Sequence, residues 1–126
     1  MTHTYDDQNI FARILRGEIP NDTVLETEHC LAFRDISPQA PVHVLVIPKG
    51  AYVSYEHFAA EASEAEIVDF TRAIGEVCRL SGLNGADVEG GFRVISNAGP
   101  HGSQEVPHLH MHVLGGRPLG RLLDRG

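Results

Sequence analysis

Residues 108–114 run His108-Leu109-His110-Met111-His112-Val113-Leu114, and strict alternation of imidazole with apolar side chain is the pattern of a strand with two unlike faces. Side chains two apart in a strand point the same way, about 6.6 Å from one another. The pattern therefore predicts His108, His110 and His112 on one face and Leu109, Met111 and Val113 filling a core on the other. Immediately upstream, a Gly-rich loop over residues 97–107 offers backbone donors at Gly99, Gly102 and Ser103. Imidazoles beside such donors suit binding an anion and attacking it. Two other readings fit the same residues: an exposed strand with incidental histidines, or a metal site, because alternate strand positions can both ligate zinc.

On the N-terminal side, Gly90 and Gly91 introduce a strand over residues 92–96. Before it, Ser63 and Glu66 have capping-box spacing, and Ile67, Phe70, Ile74, Val77 and Cys78 recur at helical intervals until Gly82. Asn9 precedes the apolar set Ile10, Phe11, Ile14 and Leu15, and Gly17 follows it, which predicts a short helix capped at both ends. Residues 24–28, 30–34 and 42–47 read as three strands, and Pro38 and Pro41 make residues 35–41 a loop. One helix, three strands, a long helix and two strands predict a single α+β domain over residues 1–126 with a largely antiparallel sheet.

The chain of 126 residues is 42% hydrophobic and 21% charged, enough apolar surface for one self-supporting core. A formal net charge of -7 opposes attraction to a phosphate polymer and argues against nucleic acid as a partner. Apolar runs such as residues 44–48 stop far short of the ~20 residues a membrane span needs, and residues 1–9 are polar. A cytoplasmic protein with no membrane partner is expected. Cys30 and Cys78 belong to no Cys-x-x-Cys pair and read as reduced core thiols.

Three longer stretches carry a resemblance. They are residues 10–20 (Ile-Phe-Ala-Arg-Ile-Leu-Arg-Gly-Glu-Ile-Pro), residues 30–41 (Cys-Leu-Ala-Phe-Arg-Asp-Ile-Ser-Pro-Gln-Ala-Pro) and residues 112–118 (His-Val-Leu-Gly-Gly-Arg-Pro). Together with the alternating histidines they make the chain similar, from about residue 8 to residue 121, to the histidine-triad (HIT) family and to its Hint branch of nucleoside phosphoramidases. The resemblance implies a HIT fold: a five-stranded antiparallel sheet with two helices, extended across a homodimer. It also implies hydrolysis of purine nucleoside 5'-phosphoramidates and aminoacyl adenylates without a cofactor. The Cys pair of zinc-carrying relatives is missing here, so no metal is implied.

Residue by residue, the resemblance makes His110 the nucleophile, its second ring nitrogen held by the carbonyl of His108. His112 becomes the donor to a phosphate oxygen and His108 a support. Asp35 takes the place of the carboxylate that accepts from both ribose hydroxyls, with an Asx turn before Ser37-Pro38 as its plainer role. Asn97 takes a polar site position, or is simply a turn residue. Ile10, Phe11, Ile14, Phe33 and Ile36 match a purine sandwich, though all would also serve as core.

Two departures stand out. Glu105 occupies the place of a Ser that contacts the phosphate or leaving group in animal members, flanked by Gln104 and Val106 on the nucleotide side. It becomes the candidate proton source, provided that it is neutral beside phosphate. After the third strand, Pro48-Lys49-Gly50-Ala51 replaces a pattern that usually ends in His. His43 fits another family position or is a structural histidine, and His101 lies in the phosphate-side loop. A dinucleoside polyphosphate hydrolase or nucleotidyl transferase of the same superfamily, and a noncatalytic AMP-binding adaptor, are the competing functions.

Overall fold

A computed structural model describes residues 3–83 and 90–124; Arg125 of the C-terminal tail lies outside them. In chain order the elements are α1 (Ile10–Leu15), β1 (Thr23–Glu26), β2 (Cys30–Arg34), β3 (Val42–Pro48), α2 (Tyr55–Glu61), α3 (Glu64–Leu80), β4 (Phe92–Ser96) and β5 (Met111–Gly115). The strands make one five-stranded sheet in the order β1-β2-β3-β5-β4, every neighbouring pair antiparallel.

Both expected helices are present and capped as their sequences require. Asn9 Oδ1 accepts from the Ala12 N–H at 2.9 Å, and the chain leaves α1 through Gly17, whose φ of +78° suits a residue without a side chain. Ser63 Oγ accepts from Glu66 N while Glu66 Oε1 accepts from Ser63 N, a complete capping box for α3. A third helix, α2, was not anticipated. Its seven residues bury only His57 and Phe58, too few to show a period, although Ser54 caps it by accepting from His57 N.

The sheet is covered on both faces. On one, Ala32, Val44, Val46, Met111 and Val113 pack with Phe58 of α2 and with Phe70, Ala73 and Val77 of α3. On the other, Leu31, Phe33, Leu45 and Ile47 pack against Phe11 and Ile14 of α1. Burial of this extent contributes about 25 cal/mol per Å² of apolar surface removed from water.

The last strand corrects the sequence-based boundary. Met111 to Gly115 are paired, but His108 and His110 precede the ladder. The cause lies in the neighbours. The ladder to β3 ends at Val46 opposite Met111, and Leu109 N instead donates to Tyr52 O, in the loop beyond β3, at 2.7 Å. The alternation still holds, since Leu109, Met111 and Val113 are all buried on the α3 face.

Candidate active site

The unpaired approach to β5 lets ring nitrogens reach backbone carbonyls. His108 is fully buried, and its Nε2 lies 2.8 Å from Pro48 O. A carbonyl only accepts, so Nε2–H donates and Nδ1 keeps a lone pair. That lone pair accepts from Tyr5 Oη–H at 2.6 Å. Burial pushes His108 down to about 4, so the ring is neutral.

His110 repeats the logic one step along. Its Nδ1 lies 2.7 Å from the His108 carbonyl and must donate to it, which leaves the Nε2 lone pair free. Burial lowers its proton affinity, against the bond to His108 O and the charges of Asp35 and Glu105. Phe11 packs edge-on against the ring, centroids 4.9 Å apart.

His112 sits next, its ring centroid 5.0 Å from that of His110. Here the tautomer is set by a third ring. Gln39 N donates to His43 Nδ1 at 3.1 Å, so His43 carries its proton on Nε2 and donates it to His112 Nδ1 at 2.9 Å. His112 must then hold its own proton on Nε2. Burial, followed by the neighbouring rings of His110 and His43, pushes His112 down to about 4. The arrangement is chemically asymmetric: a bare lone pair on His110 and an N–H on His112, both uncharged.

Asp35 uses Oδ1 to accept from Ser37 N at 2.8 Å, the Asx turn, while Oδ2 lies 3.4 Å from His43 Nε2. Asn97 follows directly on β4 and is half-buried. Gln104 is committed to the loop: Nε2 donates to Val53 O and Val106 O, and Oε1 accepts from Gly99 N. The loop is tightly folded at Gly102, where a Cβ would stand 2.6 Å from Ala98 O and 2.8 Å from Ala98 N. Val106 packs against the α1-side core with Phe11, Ile14 and Phe33, whereas Ile10 is 43% and Ile36 95% exposed. Glu105 and His101 are exposed. Of the candidates, the three histidines, Asp35 and Phe11 thus converge, Phe33, Ile14 and Val106 back them, and Ile36 stands out in solvent.

Two residues with no assigned role join the cluster. His43 was one of two readings at its position, and Tyr5 lay in a stretch read only as polar. A metal fits poorly at either ligand set found among the described residues. Asp35, His43 and His112 bring ligand atoms within 4.8 Å of one another, as do His3, His57 and Glu61. In each set one histidine accepts a backbone N–H on Nδ1, from Gln39 for His43 and from Val53 for His57. A metal on Nε2 would move the ring proton to Nδ1 and face it with that donor.

The fold and the cluster define the class: an antiparallel α+β domain with neutral histidines gathered at the start of an interior strand. The chain belongs to the HIT domain family, which matches residues 16–119, and to its Hint-like branch. It is 44% identical over 117 residues to the purine nucleoside phosphoramidase of Escherichia coli K12, covering 93% of this chain and 94% of that one. It is 59% identical over 126 residues, the whole of both chains, to a HIT-like protein of Azospirillum brasilense. A histidine triad protein from Clostridium difficile superposes with a TM-score of 0.79 at 38% identity, covering 95% of this chain and 100% of that one. Among the described residues no helix is long and apolar enough to cross a membrane.

Proposed function

We infer that the protein hydrolyses purine nucleoside 5'-phosphoramidates and aminoacyl adenylates, releasing the nucleoside monophosphate through a nucleotidyl group on His110. The observation that carries this reading is the bond from His110 Nδ1–H to His108 O. It leaves Nε2 as an uncharged nucleophile aimed away from the backbone.

In the first step Nε2 attacks the α-phosphorus, a P–Nε2 bond forms, and the bond to the leaving group breaks. A departing amine takes the electron pair of that bond and a proton from Glu105 or from solvent, whereas a departing carboxylate takes the pair alone. In the second step water attacks phosphorus, its proton goes to solvent or to a site base, and the P–imidazole bond returns its electrons to His110. The Nε2–H of His112 donates to the charged phosphoryl oxygens in both steps, and no metal or cofactor is needed. Asp35 would receive the ribose hydroxyls, and Phe11, backed by Ile14 and Phe33 and with Ile10 at the rim, the purine.

The same reading includes a homodimer. Phe92 and Val94 alternate along β4, which ends the sheet, and are 48% and 41% exposed. An edge strand with an exposed apolar stripe is suited to pairing with a second copy.

The experiment is a steady-state assay with adenosine and guanosine phosphoramidates on wild type and His110→Asn. His110→Asn should keep the fold and nucleotide binding and lose turnover. Mass spectrometry of rapidly quenched wild type should find a nucleotidyl adduct on His110; an adduct on another residue would overturn the assignment.

A further inference from the structure

Residues 3–9, before α1, are polar in composition, yet they are fastened at several points. The His3 ring stacks on His57 with centroids 4.1 Å apart and planes within 2°, and His3 Nε2 lies 2.7 Å from Glu56 Oε2. Gln8 N donates to Asp6 Oδ1, Asn9 Nδ2 donates to Asp6 O, and Arg16 donates to Asp7 O. Between these fastenings Tyr5 is brought against His108, 103 positions away, with its ring edge-on at 5.5 Å and its hydroxyl 2.6 Å from Nδ1.

That hydroxyl completes a chain of donors. Tyr5 Oη–H fills the lone pair of His108 Nδ1, His108 Nε2–H fills Pro48 O, and the His108 carbonyl receives Nδ1–H of His110. His108 has no freedom within this set, because its side chain is bonded at both nitrogens and is wholly buried. Its carbonyl is in turn the atom that decides which nitrogen of His110 carries the proton. If the phenol is removed, a buried acceptor loses its donor, and either the ring turns or its proton moves. Either outcome disturbs the bond from His108 Nε2–H to Pro48 O, and with it the fixed placement of the residue whose carbonyl holds His110.

We propose that Tyr5 is a positioning residue, which through His108 holds the His110 ring in the Nδ1–H tautomer with Nε2 free. Its hydroxyl meets His108 rather than the attacking nitrogen of His110. The kinetic part of this inference rests on the hydrolase reading above; the spectroscopic part does not.

The test is Tyr5→Phe beside Tyr5→Leu, the first removing only the hydroxyl and the second also the ring. Tyr5→Phe should lower kcat about tenfold with KM within about twofold, the pattern of a loss felt in the chemical step rather than in substrate binding. Ring ¹⁵N spectra should show His108 Nδ1 losing its hydrogen-bonded shift and His110 populating the Nε2–H tautomer. A Phe variant with wild-type kcat and unchanged His110 ring nitrogens, with only Leu impaired, would show that the ring merely packs and would overturn the proposal. A rise in KM at constant kcat would overturn it too, since the segment would then serve ground-state binding. If wild type cleaves no phosphoramidate, the hydrolase reading fails, and the ¹⁵N spectra still decide the Tyr5 link.

Discussion

His43 Nε2 lies 2.9 Å from His112 Nδ1, a side-chain bond between residues 69 positions apart in the two adjacent interior strands β3 and β5. Because Gln39 N occupies the other nitrogen of His43, the proton on this bond belongs to His43 and leaves His112 with its N–H free for an anion. His43→Ala should therefore lower kcat by about tenfold or more while sparing adenosine affinity, in line with the effect of removing one ring-orienting partner. Equal losses in kcat and in nucleoside binding would show that His43 only supports the loop over residues 35–41.

Asp35→Asn tests the ribose. A charge-assisted hydrogen bond is worth about 1.5–3 kcal/mol, so binding of ribonucleotides should weaken by a factor of about ten to a hundred and 2'-deoxy analogues much less. The Asx turn to Ser37 N survives in the variant, because an Asn oxygen also accepts. Calorimetric titration with AMP and 2'-deoxy-AMP measures the difference. Equal weakening for both sugars would reduce Asp35 to a loop residue.

Stability should fall with acid over a defined window. His108 is held down to about 4 by burial against 6.5 for a free imidazole. Between those values the unfolded chain binds the proton and the folded one does not, so unfolding is favoured as pH drops. At 1.36 kcal/mol per pH unit, His108 alone accounts for roughly 3 kcal/mol lost between about pH 6.5 and 4. Urea midpoints across that range should decline in wild type and more shallowly in His108→Gln. An equal slope in both would remove His108 as the source.

Ser103 adopts φ +56° in the loop before the histidines, a left-handed conformation that costs a residue with a Cβ about 1 kcal/mol. Ser103→Gly should raise stability by about 0.5 kcal/mol, the relief being partly offset by the greater freedom of glycine in the unfolded chain. Ser103→Ala should not. Denaturant midpoints distinguish the two, and an unchanged Gly variant would mean that a bond made by the Ser hydroxyl compensates the backbone.

Glu105 is exposed, and its charge favours the protonated form of His110. If it hands a proton to the departing amine, a step worth a factor of roughly 100 to 10,000, Glu105→Gln should slow substrates with basic amines and spare activated leaving groups. Glu105→Ser should recover part of the loss. A small, uniform effect across leaving groups would remove it from the chemistry.

What could be read from residues alone follows physical range. The capping box of Ser63 and Glu66 and the period from Ile67 to Cys78 are local, and α3 stands where they place it. The apolar half of the histidine alternation was equally legible, because Leu109, Met111 and Val113 answer to one sheet face. The onset of β5 was not, since it depends on where the ladder to β3 stops and on Leu109 N finding Tyr52 O. Tyr5 was the least legible. Nothing near it in sequence signals a partner 103 residues away, and an aromatic in a polar stretch reads as incidental until the fold closes. His43 was seen as a candidate, but only its bond to His112 distinguishes a proton-setting role from a structural one.

The strand order β1-β2-β3-β5-β4 has a consequence for when the site comes into being. β1, β2 and β3 pair as neighbours along the chain and close short loops. β5, the strand furthest along the sequence, pairs with β4 across a connection of 14 residues and with β3 across a loop of more than sixty. The His112 ring meets His43 of β3 only when that pairing is made, whereas His110 finds its partner two positions away, at the His108 carbonyl. A chain in which β5 has not docked on β3 therefore lacks the bond that assigns the proton of His112.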